Sequence, residues 1–495
     1  MFLAKFFLYF RDDLSEDQYS QLGKICDEII SNNLSSKSVV AQDFLHISRY
    51  SPAMAEAYIG IHKKNVLTFF IHTSREVFRS MFHLIKYFFK SVTFQNINVS
   101  SHEKKPNYLI ISHYTGDESN LNYTDSYFGE VIKELNKSKC KIVVAYINHT
   151  NHKPKVQLES GQKNIILPIN SINLSKLFEI YKESFFSLFE FNQIDDSAIS
   201  KRLSVKARFN LFSPNVVRSK IIANHVKRLV TELSPKYVMT TYEGYAWEKL
   251  CFSLARESMP SIKCIAYQHA PIFKYQHAIR RGIGGGYDPD IILTSGDFPK
   301  SQLLKCESLR GSKILLLGSG RALPESLILN KNNTNINTCL VVPEGEITEC
   351  EILFGFALEC ARKIKNVNFI WRFPPRVDLA MLQNLSTDFE NLAKNITIST
   401  SSLASDINAS NYVLYRGSSV VIQAVLSGSN PIYFMQNNEL SMDPLFSYQE
   451  NKRIASDALE FEGQIQDGKS VSEELKAHCK NIYSNININI LKGLI

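Results

Sequence analysis

The sequence predicts an α/β protein with two facing Rossmann-like domains, preceded by a helical N-terminal segment. Beyond about residue 106, short β-rich runs alternate with helical patterns, which is typical of parallel sheets with crossover helices. The alternation forms two separate series, and 495 residues are enough for two large domains, each with its own core. No run reaches the roughly 18 uncharged apolar residues that a membrane-spanning helix needs.

The first series contains six β-rich runs, separated by turn residues and helical patterns. The candidate strands are Tyr108–Ser112, Lys141–Tyr146, Asn164–Pro168, Tyr237–Thr241, Ile262–Tyr267 and Ile291–Thr294. A helix-rich insertion between Ile172 and Thr231 separates the third strand from the fourth.

The second series begins near Ser312 and alternates more regularly. Its candidate strands are Cys339–Pro343, Asn368–Phe373, Ile396–Ser399, Tyr412–Tyr415 and Pro431–Phe434. The helices between them are Thr348–Ile364, Leu379–Leu385, Leu403–Ala409 and Ser419–Ser427. We therefore expect an N-terminal segment over residues 1–105, a first domain over 106–311 and a second domain with the tail over 312–495.

The region between the two series holds one more apolar strand, Lys313–Leu317, followed by a Gly-Ser-Gly-Arg turn at 318–321. The polar stretch Asn330–Asn337 is the best candidate for an interdomain linker. Two such domains facing each other place the carboxyl ends of both sheets at one cleft, where ligands of doubly wound sheets usually bind. We expect the functional residues in the loops at these strand ends.

Composition and charge exclude several classes of protein. With 44% hydrophobic and 21% charged residues the chain has the composition of an ordinary folded protein. Its net charge is +8 and the sequence contains no block of basic residues, so nucleic-acid binding is not expected. The nine cysteines lie scattered without zinc spacing, which favours reduced thiols, a cytoplasmic location and no metal site. The aromatic start, Met1–Phe10, lacks the features of a secretory signal.

The segment Asn65–Phe94 has the pattern of a basic amphipathic helix. Its apolar side carries Phe78, Met81, Phe82, Ile85, Phe88 and Phe89, and the adjacent face carries Arg75, Arg79, Lys86 and Lys90. Two interpretations stay open. The helix can pack its apolar side on the protein's own core with a solvated basic face, or it can attach the protein to a membrane surface.

The strongest local motif in the second domain is Tyr-Arg-Gly-Ser-Ser at 415–419, where a strand ends, a turn follows and a helix begins. Free N–H groups at the helix start, the hydroxyls of Ser418 and Ser419, and Arg416 suit a phosphate, with Gly417 allowing the tight turn. The alternative is simply a capped helix after a turn.

Two neighbouring loops of the same domain add candidates for binding an anionic, hydroxylated ligand. Arg372 and Arg376 flank a rigid Phe-Pro-Pro turn and can reach a diphosphate or a carboxylate, unless they are ordinary surface arginines. Glu344 and Gly345 follow the domain's first strand, where a short acidic turn either contacts sugar hydroxyls or caps a helix.

Three side chains of the first domain are candidates for acid–base chemistry. Glu243 closes a strand and faces the expected cleft, where a carboxylate can take a proton from a substrate hydroxyl. His269 ends the next strand, Tyr267-Gln268-His269, and either orients a substrate or is a satisfied core histidine. Asp125 is either a rival base or, as we prefer, a helix cap.

These motifs together resemble the GT-B-fold glycosyltransferases of bacterial surface carbohydrate biosynthesis, the enzymes of capsule and O-antigen assembly. The resemblance rests on Tyr-Glu-Gly-x-Ala-Trp-Glu at 242–248, Tyr-Gln-His at 267–269, Pro-Asp-Ile-Ile-Leu-Thr-Ser-Gly at 289–296 and the Tyr-Arg-Gly-Ser-Ser motif, and it covers roughly residues 106–450. In the related sialyl- and Kdo-transferases an acidic motif holds the base, and a His-Pro motif and a Ser/Thr pair meet the donor's phosphate. Glu243 matches the first and Ser418 and Ser419 the third, whereas Pro374 stands where the histidine would be.

The resemblance implies a GT-B-like, metal-independent, cytoplasmic glycosyltransferase with no cofactor beyond its nucleotide-sugar donor. The second domain would bind the donor and the first would hold a glycan or lipid-linked acceptor of a surface polysaccharide, with Glu243 as base. Attachment to the inner membrane remains open through the basic helix. The alternatives are a non-catalytic scaffold that binds a sugar nucleotide or glycan, supported by Pro374 and by the second acid that the motif lacks beside Glu243, and a GT-B-fold sugar-nucleotide epimerase.

Overall fold

The computed structural model contains two parallel α/β sheets and an N-terminal group of helices. It describes residues 14–48, 50, 58, 61, 66–94, 104–115, 125–150, 164–192, 197–322, 337–375, 377–437, 439–466 and 470–494. Of the expected linker at 330–337, only Asn337 lies within the described residues. Arg376 lies outside them as well.

The N-terminal segment and the insertion of the first domain are helical. The segment contains α1 (Glu16–Asn32), α2 (Lys37–Val40) and α3 (Val66–Val92), and the insertion contains α5 (Leu174–Phe189), α6 (Ala198–Asn210) and α7 (Pro214–Leu233). Helix α4 (Gly129–Lys137) lies between the first two strands of the first sheet. Helix α1 begins with a capping box, in which Ser15 accepts from the backbone of Gln18 and the Gln18 side chain accepts from the backbone of Ser15. Its apolar side joins the core beneath the first sheet.

The first sheet has seven parallel strands in the order β3-β2-β1-β4-β5-β6-β7. The strands are β1 (Tyr108–Tyr114), β2 (Ile142–Asn148), β3 (Asn164–Pro168), β4 (Tyr237–Thr241), β5 (Lys263–Gln268), β6 (Ile291–Thr294) and β7 (Lys313–Leu316), with helices α8 (Ala246–Ser258) and α9 (Asp297–Leu304). The central strands β4 and β6 are buried at every residue because helices cover both faces of a parallel sheet.

The second sheet has six strands in the order β10-β9-β8-β11-β12-β13. Its strands are β8 (Asn337–Val342), β9 (Val367–Trp371), β10 (Ile396–Ile398), β11 (Tyr412–Tyr415), β12 (Asn430–Phe434) and β13 (Ile454–Ala455). The helices are α10 (Ile347–Lys363), α11 (Leu379–Leu385), α12 (Leu403–Asn408), α13 (Val420–Leu426), α14 (Ala458–Gln466), α15 (Glu473–Ile482) and α16 (Asn489–Lys492).

Both sheets begin with the same strand order, so the expected pair of Rossmann-like domains is confirmed. In each sheet the order reverses beside the first strand of the domain. The reversal lies between β1 and β4 in the first sheet and between β8 and β11 in the second. Ligands of such sheets bind at this reversal, outside the carboxyl ends of the strands.

The connection between the domains differs from the expectation. Strand β7 pairs in parallel with β6, so it belongs to the first sheet and not to a second domain beginning at residue 312. The tail also returns to the first domain, where the backbone N–H of Asn487 donates to the Leu317 carbonyl at 2.7 Å and Tyr108 donates to the Leu491 carbonyl at 2.6 Å. The apolar isoleucines of this polar tail bury against the first sheet, which local composition does not indicate.

Candidate active site

A cleft of about 980 Å³ lies between the carboxyl ends of the two sheets. Glu243 and His269 of the first domain line it together with Glu344, Arg372, Ser418 and Ser419 of the second. These residues follow strands β4, β5, β8, β9 and β11, and three of those strands, β4, β8 and β11, form the two reversals of strand order. The two domains therefore bring most of the expected site residues to one cavity.

Glu243 and His269 form a pair on the wall of the first domain. His269 Nε2 lies 3.6 Å from Glu243 Oε1, and the Tyr245 hydroxyl donates to Glu243 Oε2 at 3.2 Å. The Glu243 side chain is about a quarter exposed, at 26%, whereas His269 is buried. Burial, with the nearby charge of Arg321, lowers the pKa of His269 to about 3. The imidazole is therefore neutral at neutral pH, beside a carboxylate that a substrate can reach.

The turn that carries Glu243 is held by Gly244 and Glu248. Gly244 has φ of +85°, and a side chain there would lie 2.4 Å from the backbone of Ala278, so only glycine fits. The buried Glu248 carboxylate accepts from the backbone N–H groups of Glu243, Gly244 and Tyr245 at 3.1, 2.8 and 2.9 Å. Burial, and then the charge of Glu243, raise the pKa of Glu248. Glu248 thus positions the loop, because its two oxygens already accept these N–H groups.

Asp125 caps the turn that leads into α4. Its Oδ1 accepts from the N–H groups of Tyr127 and Phe128 at 2.8 and 3.0 Å, and the residue is 8% exposed. It does not line the cleft. Of the two interpretations of Asp125, the structure supports the cap.

On the opposite wall, the turn after β11 packs against the loop after β8. A side chain at Gly417 would place its Cβ 2.7 Å from Glu344 Oε2 and 3.1 Å from Met442 Cε, so these side chains would have to move to admit it. Ser418 and Ser419 follow, and Ser419 makes no side-chain capping bond to α13. At Gly345 nothing lies within 4 Å of an added Cβ, so this part of the cleft is open.

The prediction that Arg416 binds the ligand is wrong. Its side chain is fully buried, with Nε donating to Glu349 Oε2 at 2.6 Å and Nη2 donating to Glu439 Oε2 at 2.7 Å. It points into the second domain and does not line the cleft, because these two acidic side chains, distant in sequence, form its ion pairs. Arg416 is therefore part of the core.

Arg372 lies at the cleft as expected, although its guanidinium is already engaged. Its Nη1 donates to Asp406 Oδ2 at 2.7 Å and to the Ser401 carbonyl at 2.8 Å. The side chain is 29% exposed, so part of it faces the cavity. Asp406 neutralises some of its charge and also fixes its position.

Arg321 is a cleft residue that the motif analysis did not select. Its Nη1 lies 3.4 Å from both the Ser419 and the Tyr483 hydroxyl oxygens, and its carbonyl accepts from Gln423 Nε2 at 3.3 Å. It follows the Gly-Ser-Gly turn after β7 and thus links the first sheet to the second domain. An arginine directly after a glycine-rich strand end was the available signal.

Two histidines of the first domain also reach the cleft. His113 Nδ1 lies 2.8 Å from His149 Nε2, and His113 Nε2 lies 2.9 Å from Thr241 Oγ1. They follow or end the adjacent parallel strands β1 and β2, next to the reversal at β4. The parallel register brings the two rings together, which neither sequence position shows alone.

The N-terminal segment contributes Asp43 to the cleft. Its Oδ1 is buried and makes no hydrogen bond within the described part of the chain. Burial raises the pKa of Asp43 to about 7. No composition or spacing signal distinguishes this aspartate from the other acidic residues around it.

Two further features are absent from the described part of the chain. No three histidine, cysteine or acidic side chains among its residues are grouped so that they could hold a metal ion. No helix in the same residues combines the length and the apolar character that crossing a membrane requires.

The fold and the cleft define a two-domain α/β protein of the GT-B type, with acid–base groups on one wall and hydroxyl and guanidinium groups on the other. No protein-family model matches the sequence. No curated protein matches it either.

Several solved structures are similar to this chain. One is a UDP-GlcNAc 2-epimerase from Methanocaldococcus jannaschii in complex with UDP-GlcNAc and UDP, with a TM-score of 0.47, 12% identity, and coverage of 78% of this chain and 98% of that one. Another is the glycosyltransferase SnogD from Streptomyces nogalater, with a TM-score of 0.43, 13% identity, and coverage of 79% and 100%. A third is MurG from Acinetobacter baumannii, with a TM-score of 0.42, 9% identity, and coverage of 78% and 98%. Similarities at this level do not specify an activity.

Proposed function

We propose that this protein is a glycosyltransferase that moves a sugar from a nucleotide-sugar donor to a glycan or lipid-linked acceptor of a surface polysaccharide. The observation that carries the proposal is the cleft itself. Its first-domain wall presents the partly exposed Glu243 carboxylate, and its second-domain wall presents Ser418, Ser419 and Arg372. A base facing groups that bind an anionic leaving group is the arrangement that glycosyl transfer requires.

The donor's diphosphate is assigned to the second-domain wall and to Arg321. The Arg321 guanidinium lies beside the Ser419 hydroxyl, so a charged and a neutral hydrogen-bond donor meet at one point of the cleft. Arg372 can add a second cationic contact from the neighbouring loop. Such hydrogen-bond donors stabilise the negative charge that develops on the leaving phosphate. Glu344 and the open space at Gly345 lie beside this point. A carboxylate there can accept hydrogen bonds from ribose or sugar hydroxyls.

The transfer step is assigned to Glu243. Its carboxylate takes the proton of the acceptor hydroxyl while that oxygen bonds to the anomeric carbon of the donor. The bond from this carbon to the phosphate oxygen breaks, and the nucleoside diphosphate leaves with the electron pair. The Tyr245 hydroxyl holds the carboxylate in place, and the neutral His269 ring lies beside it. We place the reaction in the cytoplasm and without a metal, with arginine charge in the role that a cation would otherwise have.

Epimerisation of a nucleotide sugar in the same cleft is the second candidate, and the His113–His149 pair favours it. Inverting a sugar carbon removes a proton from one side and returns one to the other, which requires two acid–base groups. The imidazoles of His113 and His149, whose nearest nitrogens are 2.8 Å apart, give the first-domain wall a second acid–base site besides the Glu243–His269 pair.

A screen of nucleotide sugars separates these functions. Release of free nucleotide only when a membrane extract supplies acceptors supports transfer. Conversion of the nucleotide sugar without any acceptor overturns transfer in favour of epimerisation, and binding without turnover of any donor overturns both in favour of a binding scaffold.

The first prediction concerns Glu243. Glu243→Gln keeps the size and the hydrogen bonds of the side chain but removes its basicity, so turnover should fall by about a hundredfold or more while donor affinity stays nearly unchanged. Steady-state kinetics and donor titration measure the two effects. Glu473→Gln, at an 82% exposed position on α15, is the matched control and should behave as wild type. Near-normal turnover of Glu243→Gln would move the base elsewhere in the cleft.

A further inference from the structure

Helix α3 turns most of its aromatic side chains away from the protein. Its buried residues form an inward stripe of Phe69, Thr73, Ser80, Tyr87 and Ser91. Of these five, three are small and polar. The outward residues include large apolar side chains that are more than half exposed: Phe70, Ile71, Phe78, Met81, Phe82, Ile85, Phe89 and Val92. This is the reverse of a helix that packs its apolar side on the core of its own domain.

The inward stripe is held by specific contacts, so the orientation of α3 is defined. The Tyr87 hydroxyl donates to the Pro214 carbonyl at 3.2 Å, and Ser91 Oγ accepts from the N–H of Ile172 at 3.4 Å. Tyr87 also joins a buried cluster with residues of α5 and α7. Rotating the helix to bury its aromatic residues would break these contacts. The interpretation in which the apolar side of α3 packs on the protein's own core is therefore wrong.

A second helix extends the same apolar surface. Helix α5 buries Leu177, Ile180, Ser184 and Ser187 and exposes four phenylalanines, Phe178, Phe185, Phe186 and Phe189, by about half or more. The rings of Phe88 on α3 and Phe178 on α5 meet edge to face with centroids 6.4 Å apart. We call the exposed apolar side chains of α3 and α5 the aromatic face. A contiguous apolar surface of this kind usually marks an interaction site.

Exposed basic side chains accompany the aromatic face. Arg75, Arg79 and Lys86 of α3 are exposed, and Lys182 of α5 is exposed with its Nζ 5.9 Å from the ring centre of Phe186. The acidic residue of α3, Glu76, is only partly exposed and lies 3.5 Å from Lys206. The α3 side of the aromatic face is thus positive, whereas on α5 the lysines Lys176 and Lys182 are balanced by Glu179 and Glu183.

We propose that the aromatic face docks this protein on an anionic lipid bilayer, with α3 lying along the membrane surface. Aromatic side chains insert at the level of the head groups, and the neighbouring arginines and lysines meet the acidic lipids. Charge complementarity favours this partner over a second copy of the chain. A symmetric dimer would place Arg75, Arg79 and Lys86 against the same cationic region of its partner. The proposal goes beyond the activity of the cleft and holds for a transferase, an epimerase or a scaffold.

The test is co-sedimentation of the full-length protein with vesicles of zwitterionic lipid alone and of the same lipid containing acidic phospholipid. We expect wild type to bind the acidic vesicles, and high salt to weaken the binding because it screens the basic residues. Phe78→Ser, Phe82→Ser and Phe89→Ser together should reduce the bound fraction by about tenfold or more, since these side chains provide the buried apolar area. Arg75→Gln, Arg79→Gln and Lys86→Gln together should reduce it most at low salt.

The matched control removes three exposed apolar side chains that lie elsewhere on the protein. Leu304, Met381 and Leu459 are 61%, 46% and 78% exposed, and changing all three to serine should leave vesicle binding as in wild type. Circular dichroism establishes that each variant is folded, and the single variant Phe82→Ser replaces the triple one if the latter unfolds. No binding of wild type to acidic vesicles, or equal binding by the aromatic variant, overturns the proposal. Sedimentation velocity that shows a dimer abolished by the same changes would assign the face to a second copy.

Discussion

At the scale of single residues, Arg321 and Arg416 show that the surroundings of an arginine decide its role. Arg416 lies next to the Ser-Ser turn in sequence, yet it is fully buried between Glu349 and Glu439. Arg321 is about a hundred positions away from Ser419 and nevertheless bonds to its hydroxyl in the cleft. A residue next to a motif in sequence has its backbone next to that motif in space. The partners of its side chain, however, can come from distant parts of the chain.

The second prediction compares these two arginines. Arg416→Met leaves two buried carboxylates without their cation, so the free energy of unfolding should fall by about 3–5 kcal/mol. Arg321→Gln removes a charged donor at the phosphate position and should weaken nucleotide binding by about tenfold or more, with a smaller loss of stability. Urea unfolding and nucleotide titration measure both quantities. A variant of Arg416 that folds normally and loses only nucleotide affinity would return Arg416 to the binding site.

At the scale of elements, the strand–turn–helix unit from β4 to α8 positions the base. Strand β4 ends at Thr241, Gly244 makes the turn with positive φ, and Glu248 in the first turn of α8 accepts the loop N–H groups. The carboxylate of Glu248 both caps the helix and holds the turn, so the position of Glu243 depends on the whole unit. The turn after β11 has a related construction, with Gly417 packed against Glu344.

The third prediction tests the turn. Gly244→Ala places a methyl group 2.4 Å from the Ala278 backbone and forces a left-handed conformation on a residue with a side chain. We expect a loss of about 2 kcal/mol or more in the free energy of unfolding, together with lower turnover because Glu243 moves. The control is Gly311→Ala, where nothing lies within 4 Å of the added Cβ. Thermal unfolding measures both, and equal midpoints for the two variants would show that the turn tolerates a side chain.

At the scale of the whole molecule, three histidines among the described residues are buried and neutral at neutral pH: His46 of the N-terminal segment, and His225 and His269 of the first domain. Burial lowers the pKa of His225 to about 4, because charging the ring inside the helical layer is unfavourable. The unfolded chain binds this proton near pH 6.5, whereas the folded protein binds it only near pH 4. The unfolded state therefore holds more protons within this window, and acid destabilises the fold as the pH falls through it.

The fourth prediction isolates this effect at His225, whose Nε2 lies 3.0 Å from the Ser171 carbonyl oxygen. His225→Gln can still donate to that carbonyl but cannot titrate. The stability of wild type relative to the variant should therefore fall by about 2 kcal/mol between pH 7 and pH 5. Urea unfolding of both proteins over this range gives the difference, and the variant's own pH profile accounts for all other groups. A difference that does not change with pH would show that His225 is not buried in its neutral form.

The strands and helices around the cleft are where the sequence was most informative. Several elements have the expected bounds because each is a short apolar or helical pattern between clear turn signals. They include the strands Tyr237–Thr241, Asn164–Pro168 and Tyr412–Tyr415 and the helix Leu379–Leu385. Glu243, His269, Glu344, Ser418 and Ser419 reach the cleft because parallel strands present their carboxyl ends at one edge. His149, Arg321 and Asp43 were not found, because each becomes a cleft residue only through a neighbouring strand or another domain.

The sequence by itself therefore determined the two α/β domains and the loops that would form a site, because hydrophobic periodicity and turn chemistry act over a few residues. Tertiary structure alone decided that Arg416 is a core ion pair, that β7 and the tail complete the first domain, and that α3 turns most of its phenylalanines outward. Each of these outcomes depends on partners far away in the chain. An amphipathic pattern defines two sides of a helix, but only the surface against which the helix packs decides which side is buried.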